Sequence, residues 1–372
     1  MESVTQLLQE LVQIPSVNPD SDPAVSPGGE KAMADYLHRL LAPLGFRCEQ
    51  VEVEPGRPNF IARAPGDENR PRILLGPHLD TVSVAGMTVD PFAAEISDGK
   101  MWGRGTSDTK GPMAAMLWGL IQNAERLREL PVAVDFVGFA GEESSQPGSR
   151  HFAEHHAADY EFAFIGEPTS MEIIHTTKGA LWAKFTTKGT AAHSSMPELG
   201  HNAIETMARD LPAFLKALQP TLQKATHPIL GPATSNLGVI NGGLRPNIVP
   251  DHCEAVVDVR TTPQLVAEKP ASQVIAAFLA SNPAFSTLHL DPDTMEYPPM
   301  EVSLDHPWIQ KTGLATAGAP WFSDAAHLNV VGLPAVCLGP GSITQAHTKD
   351  EFISLGDLTQ GAKWFVDFIG DL

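Results

Sequence analysis

Five short segments of the 372-residue chain carry side chains able to hold a divalent cation. His78 and Asp80 follow the apolar run ILLG, Glu142 and Glu143 follow VDFVGFA, and Glu167 follows FAFIG. His347 comes eight residues after CLG, across the loop PGSITQA, and Asp108 lies in the Gly-rich segment WGRGTSDTKG, just ahead of a helical pattern. Two imidazoles and several carboxylates without cysteine form a metal-ligand set that suits zinc and leaves cobalt and manganese open. One catalytic metal needs fewer carboxylates than this. The surplus favours two ions about 3.5–4 Å apart, bridged by a carboxylate and a water. Such a pair acidifies the water and polarises the carbonyl under attack, while a nearby glutamate accepts the proton and passes it to the leaving nitrogen.

Taken singly these residues are unremarkable. A His-x-Asp pair is usually a turn, adjacent glutamates a solvated face, and Asp108 a helix cap or first-turn acid. Their recurrence after strand-like runs changes the reading, because ligands of open α/β sheets bind beyond the carboxyl ends of the strands. The elements that must position them follow the expected periodicities. Val4, Leu7, Leu8, Leu11 and Val12 recur at helical spacing, as do Met33, Tyr36, Leu37, Leu40, Leu41 and Leu44 up to Gly45, and Met113 through Ala124. Strands are expected near 48–53, 59–64, 72–76, 132–140 and 162–166, the run VVGLPAVCLG (330–339) reads as another buried strand, and a final helix falls near 355–370. Strands alternating with helices predict an α/β sheet covered on both faces. Residues 179–292 read differently: strand 180–187, helix 202–218, strands 234–240 and 252–260, helix 264–280 and strand 286–290. That order is a split βαβ, ferredoxin-like α+β unit inserted into the α/β domain. The Pro-rich segments 225–234 and 289–300 read as loops.

The formal charge of −19 argues against nucleic acid or an anionic membrane as partner. Cys48, Cys253 and Cys337 form no CxxC pair, which disfavours a disulfide framework and fits a reduced cytoplasm. The N-terminus lacks the basic start and apolar run of a signal peptide, and no stretch approaches the roughly 20 apolar residues that span a bilayer. Walker A, HExxH and GxSxG sequences are absent, and Asp108 occupies the third glycine position of a dinucleotide fingerprint. His155 and His156 sit in a polar helical stretch expected to be exposed.

The segments GPHLDTV (76–82), GRGTSDTKGPMAAML (103–117), GEES (141–144), GEPT (166–169), GTAAHSSMP (189–197), NGGLRPNIVPD (241–251), FSDAAHL (322–328) and GPGSITQAH (339–347) resemble, in order, those of the M20 family of co-catalytic zinc peptidases and deacylases. The resemblance implies a zinc-peptidase-like three-layer catalytic domain (residues 1–178 and 293–372) with an inserted ferredoxin-like lid and dimerisation domain (179–292). It implies that Asp108 bridges two ions, that His78 and Glu167 complete one site, and that Glu143 and His347 complete the other. Glu142 would be general base and acid; the residues alone do not rank it against Glu143. Asp80 would hydrogen-bond the outer nitrogen of His78, and the Asp108–Thr109 peptide would be cis. His193 would reach the active site of a partner subunit and stabilise the oxyanion in a homodimer formed through the lid. Arg245, Asn247 and Arg260 flank that region as candidates for gripping a substrate carboxylate, with Arg260 equally readable as a structural strand-end residue. Hinges between the two domains would fall near 177–180 and 290–294.

The C-terminal GPGSITQAHTKDEF resembles the acetylornithine deacetylase branch. The expected reaction is removal of an acyl group from an N-acyl amino acid, with N-acetylornithine as one candidate. Succinyl-diaminopimelate desuccinylase, then a carboxypeptidase or dipeptidase acting on short peptides, are the alternatives. A one-metal hydrolase and a non-catalytic metal-binding scaffold are the readings of a different kind; an intact Glu142 speaks against the scaffold.

Overall fold

The computed structural model describes residues 2–22, 24–25 and 28–372. Contacts divide the chain into two compact units, one of residues 1–175, 302–317 and 323–372, the other of 176–301 and 318–322.

The first unit is built on a mixed sheet. Its centre is four parallel strands in the order Ala133–Gly138, Arg72–Pro77, Phe162–Gly166 and Ala335–Cys337. Arg57–Arg63 and then Arg47–Glu54 extend one side antiparallel, and Ile173–Thr177 extends the other. The central strands are buried along their whole length, as their unbroken apolar runs require. Ile73, Leu75, Val134, Phe136, Phe162 and Phe164 pack into one core with the helices Val4–Val12, Gly29–Leu41, Lys110–Gln122 and Leu355–Gly370. Elsewhere the helix Pro147–His155 brings Phe152 edge-on against Phe139, and the helix Ala325–Val330 packs beside it. The α/β architecture expected from the strand–helix alternation is the one observed.

The second unit has an antiparallel sheet in the order Thr234–Gly242, His252–Thr261, Gly179–Lys188 and His289–Leu290. The helices Ala203–Lys224 and Ala271–Ala280 complete the split βαβ order. Phe185, Met207, Leu211, Phe214, Val257 and Ile275 share its core. His252–Thr261 alternates exposed or half-buried with buried positions, as a sheet covered on one face must.

Three expectations need correction. Only Ala335–Cys337 of the 330–339 run is a strand; Val330 and Val331 end a helix and are 67% and 48% exposed. Gly332, at φ +91°, turns the chain between them and the strand. The helix expected from 264 starts at Ala271, because Pro270 caps it and disfavours helical backbone at Lys269. The supposed loop 289–300 instead supplies His289–Leu290 and Met295–Tyr297 to the second sheet, and 225–234 contains a small two-stranded pairing of Thr226–His227 with Gly231–Pro232. Among the described residues, no helix is long and apolar enough to cross a membrane.

Candidate metal centre

Parallel strands deliver the ligands to one rim. His78 directly follows Arg72–Pro77, Glu167 directly follows Phe162–Gly166, and Glu142 and Glu143 follow Ala133–Gly138 after a short turn. Gly141 makes that turn at φ +76°, where a Cβ would meet Pro147 Cδ at 2.6 Å. Asp108 precedes the helix Lys110–Gln122 and its peptide bond to Thr109 is cis.

Asp108 is the common member of two clusters. His78, Asp108 and Glu167 each offer a donor atom within 4.8 Å of the others, and so do Asp108, Glu143 and His347. Its Oδ1 lies 3.1 Å from His78 Nε2 and its Oδ2 lies 3.5 Å from His347 Nε2. His347 Nε2 is also 3.0 Å from Glu143 Oε2. A further triad, His78, Glu142 and Glu143, meets the same distance limit. In it Glu142 differs from Glu143: its Oε1 accepts a hydrogen bond from the Gln146 amide at 2.7 Å, whereas Glu143 faces an imidazole.

The electrostatics favour bound protons or cations. Burial, then repulsion from Asp108, pushes the Glu143 carboxyl up and the Glu167 carboxyl well up. Burial, then Glu167, does the same to Glu142. Burial opposes the charged form of His78, yet Asp108 and Asp80 hold its pKa well above the usual value. The hydrogen bond to Glu143 lifts His347 to about 9. Glu143 Oε1 is buried without a hydrogen-bond partner. Carboxylates crowded in this way bind protons or metal ions, and an orphaned oxygen beside an imidazole fits a metal ligand. The donor set fits two divalent cations sharing Asp108.

A second layer of bonds fixes these side chains. His78 Nδ1 lies 2.9 Å from the main-chain carbonyl of Asp80 and 3.4 Å from Asp80 Oδ1, so the closer partner is the carbonyl and not the expected carboxylate. The carboxylate is engaged elsewhere. Oδ1 accepts the Glu142 N–H and Oδ2 the Glu143 N–H, both at 3.1 Å, and Asn18 Nδ2 donates to Oδ2 at 2.6 Å. From the other side, Gly141 N–H donates to Glu30 Oε1 at 2.8 Å, and Glu30 is paired with Arg57 at 2.6 Å. Burial, then Asp80, outweighs Arg57 and raises Glu30 to about 6. Glu351 is fully buried and accepts the N–H groups of Gly105, Ser107 and Asp108 at 2.8–2.9 Å, with Arg104 at 2.8 Å. Thr109 Oγ1 donates to Gly166 O at 2.5 Å, joining the Asp108 loop to the strand that precedes Glu167.

Residues 74–371 match the peptidase family M20/M25/M40. The chain belongs to peptidase family M20. An acetylornithine deacetylase of Vibrio campbellii is 30% identical over 364 residues, spanning 95% of this M20 chain and 94% of that protein. A tripeptidase from Staphylococcus aureus has the same fold, with a TM-score of 0.77 at 22% identity over 98% of this chain and 96% of that one. So does a dinuclear metal-binding M20 peptidase of Bacillus subtilis, with a TM-score of 0.67 at 17% identity over 98% and 96% of the two chains. As an M20 member the protein is a metal-dependent hydrolase.

The remaining residues singled out from sequence lie in the second unit of this M20 protein. His193 is exposed, with Nδ1 2.8 Å from Ser195 Oγ, and it pairs across the backbone with Ile248. Asn247 is exposed and accepts the Ser194 N–H through its carbonyl at 3.1 Å. Arg245 lines a cavity of about 530 Å³ together with Pro197, Asn202, Ile204 and Ile248. Arg260 is paired with Asp258 at 3.0 Å and lies 5.6 Å from the Phe322 ring centroid. Gln146, Asn18 and Glu351 are not marked by the sequence motifs, and the Asp324 and His327 of FSDAAHL are buried. Ser149 Oγ donates to Asp324 Oδ1 at 2.5 Å, and burial lifts Asp324 to about 7. His155 is exposed and His156 half-buried, close to expectation.

Proposed function

We propose that the protein hydrolyses the amide bond of N-acyl amino acids at a dinuclear centre, zinc being the best-suited metal. The observation that carries this is the placement of the Asp108 oxygens, each directed to a different imidazole, beside a Glu167 carboxyl that burial pushes well up. His78 and Glu167 would hold one ion, Glu143 and His347 the other, and Asp108 both. When bound, the ions would acidify a water and polarise the scissile carbonyl. Glu142, set apart by its Gln146 hydrogen bond, would take the water proton and deliver it to the leaving nitrogen. The deacetylase named among the relatives supports an N-acetyl amino acid as substrate, with N-acetylornithine first among candidates.

Arg260 is already paired with Asp258, so Arg245 and Asn247 are the stronger candidates for the substrate carboxylate, with Arg260 in support. A homodimer through the second unit, with His193 serving the partner's site, is part of the same proposal. Support comes from the Thr234–Gly242 strand, which lies at the edge of its sheet with Leu237, Val239 and Ile240 exposed.

The test is Glu142→Ala in protein loaded with zinc or cobalt and assayed against N-acetyl and N-succinyl amino acids. Two equivalents of metal should remain bound while hydrolysis falls by at least ~10²-fold. Full activity would remove Glu142 from the reaction.

A further inference from the structure

Behind Glu142 a polar chain continues past the Gln146 amide to His327. Gln146 is fully buried and precedes the helix Pro147–His155 with a backbone φ of +53°. Its Nε2 donates to Glu142 Oε1 at 2.7 Å, and its Oε1 lies 2.9 Å from His327 Nε2. His327 is buried on the helix Ala325–Val330, about 180 residues further along the chain.

The directions of these bonds are interdependent. An amide oxygen only accepts, so the His327 nitrogen that faces it must carry a hydrogen. Burial, aided by the charge of Arg150, depresses the His327 pKa to about 3, so the ring is neutral and has one N–H to place. Placing it on Nε2 fixes the amide. The reversed amide would set its NH2 group against Nε2–H and its carbonyl against the Glu142 carboxylate. Both contacts would be repulsive around the buried Gln146 amide, where an unmatched polar pair costs about 1–3 kcal/mol.

We propose that Gln146, oriented by His327, is a positioning residue for Glu142: its amide occupies Oε1 and so leaves Oε2 as the oxygen that exchanges the proton. This rests on the reading of Glu142 as the base. The His327 tautomer determines which face the amide presents, the amide determines which carboxylate oxygen is taken, and the rotation of the Glu142 carboxyl is arrested. Mispositioning a reacting group by about 1 Å can cost ~10²-fold in rate.

The experiment compares Gln146→Leu, His327→Leu, His327→Gln and Glu142→Ala in metal-loaded protein, with metal content measured for each. Gln146→Leu should lower kcat about tenfold or more with KM changed less than about threefold, and with bound metal unchanged. His327→Leu should fall in the same direction, and His327→Gln, whose amide nitrogen can donate from nearly the same place, should recover most of that loss. A second readout needs no variant. Nitrogen-15 NMR of histidine-labelled wild type should show His327 neutral with hydrogen on Nε2 at pH 7, with or without metal. Wild-type kcat in Gln146→Leu, beside an inactive Glu142→Ala, would overturn the positioning role and leave the base intact. Activity in Glu142→Ala would instead overturn the reading on which it rests. A His327 ring that is protonated, or that carries its hydrogen on Nδ1, would overturn the orientation argument even if the variants fail to fold.

Discussion

Glu351 holds Asp108 by its main chain: Oε1 accepts the Asp108 N–H at 2.9 Å, from a position 243 residues further along the sequence. The same carboxylate takes the N–H groups of Gly105 and Ser107 and one Arg104 nitrogen, so both oxygens are engaged only by donors.

Replacing one oxygen by an NH2 group, as in Glu351→Gln, would set a donor against donors and leave Arg104 without its buried counter-charge. We expect a loss of about 2–4 kcal/mol in urea unfolding at fixed metal concentration, together with weaker metal retention. Stability within about 0.5 kcal/mol of wild type would show that Glu351 is not the anchor of the Asp108 loop.

Removal of divalent ions should destabilise the first unit, because burial and the repulsion of Asp108 then outweigh what His78 and His347 offer Glu143 and Glu167. Ligand at 100 times its Kd adds about 2.7 kcal/mol per site, so chelation should lower the melting temperature by roughly 5 °C or more. Titration back should saturate at two equivalents. Saturation at one would establish a mononuclear centre.

His327 makes a prediction about acid. Its pKa is about 3 in the folded protein against an ordinary value of 6.5, so between those limits the unfolded chain binds more protons. Its contribution to stability is therefore present above about pH 6.5 and is lost as pH falls towards 3. Carboxylates of the centre titrate in the same range, so the informative quantity is the difference from His327→Gln. Wild type should lose up to about 2.7 kcal/mol more than this variant between pH 6.5 and 4.5. Parallel stability curves would contradict a buried neutral ring.

The edge strand Thr234–Gly242 exposes Val239 and Ile240 at 49% and 48%. A lysine on an edge opposes strand addition. Val239→Lys should convert a dimer into a monomer in sedimentation velocity at micromolar concentration, without lowering the melting temperature of the first unit. A wild-type protein that is active and monomeric at that concentration would rule out the proposed assembly.

Much of this arrangement is legible in the residues. Short apolar runs such as ILLG, VDFVGFA and FAFIG, each soon followed by His or Glu, mark strands whose carboxyl ends share a rim, and the split βαβ order of the second unit follows from periodicity alone. Val330 and Val331 mislead because an apolar pair beside Gly332 and Pro334 reads as part of a strand, whereas its burial is decided by what packs around it. The bonds from Asp80 to the backbone of Glu142 and Glu143, from Gln146 to His327, and from Glu351 to Asp108 have no local spacing that could betray them. Each joins segments whose proximity exists only after the sheet has formed. A buried acid four residues after His347, and a histidine within FSDAAHL, were the available signals.

The separation of Asp108 from Glu351 and His347 has a consequence for biosynthesis. The loop that presents the shared ligand is steered by residue 351, and its second imidazole neighbour is residue 347. At least the first 351 residues must leave the ribosome before the Asp108 loop meets both Glu351 and His347. A fragment that stops before residue 347 would lack one of the two imidazoles that face Asp108 and the carboxylate that steers its loop.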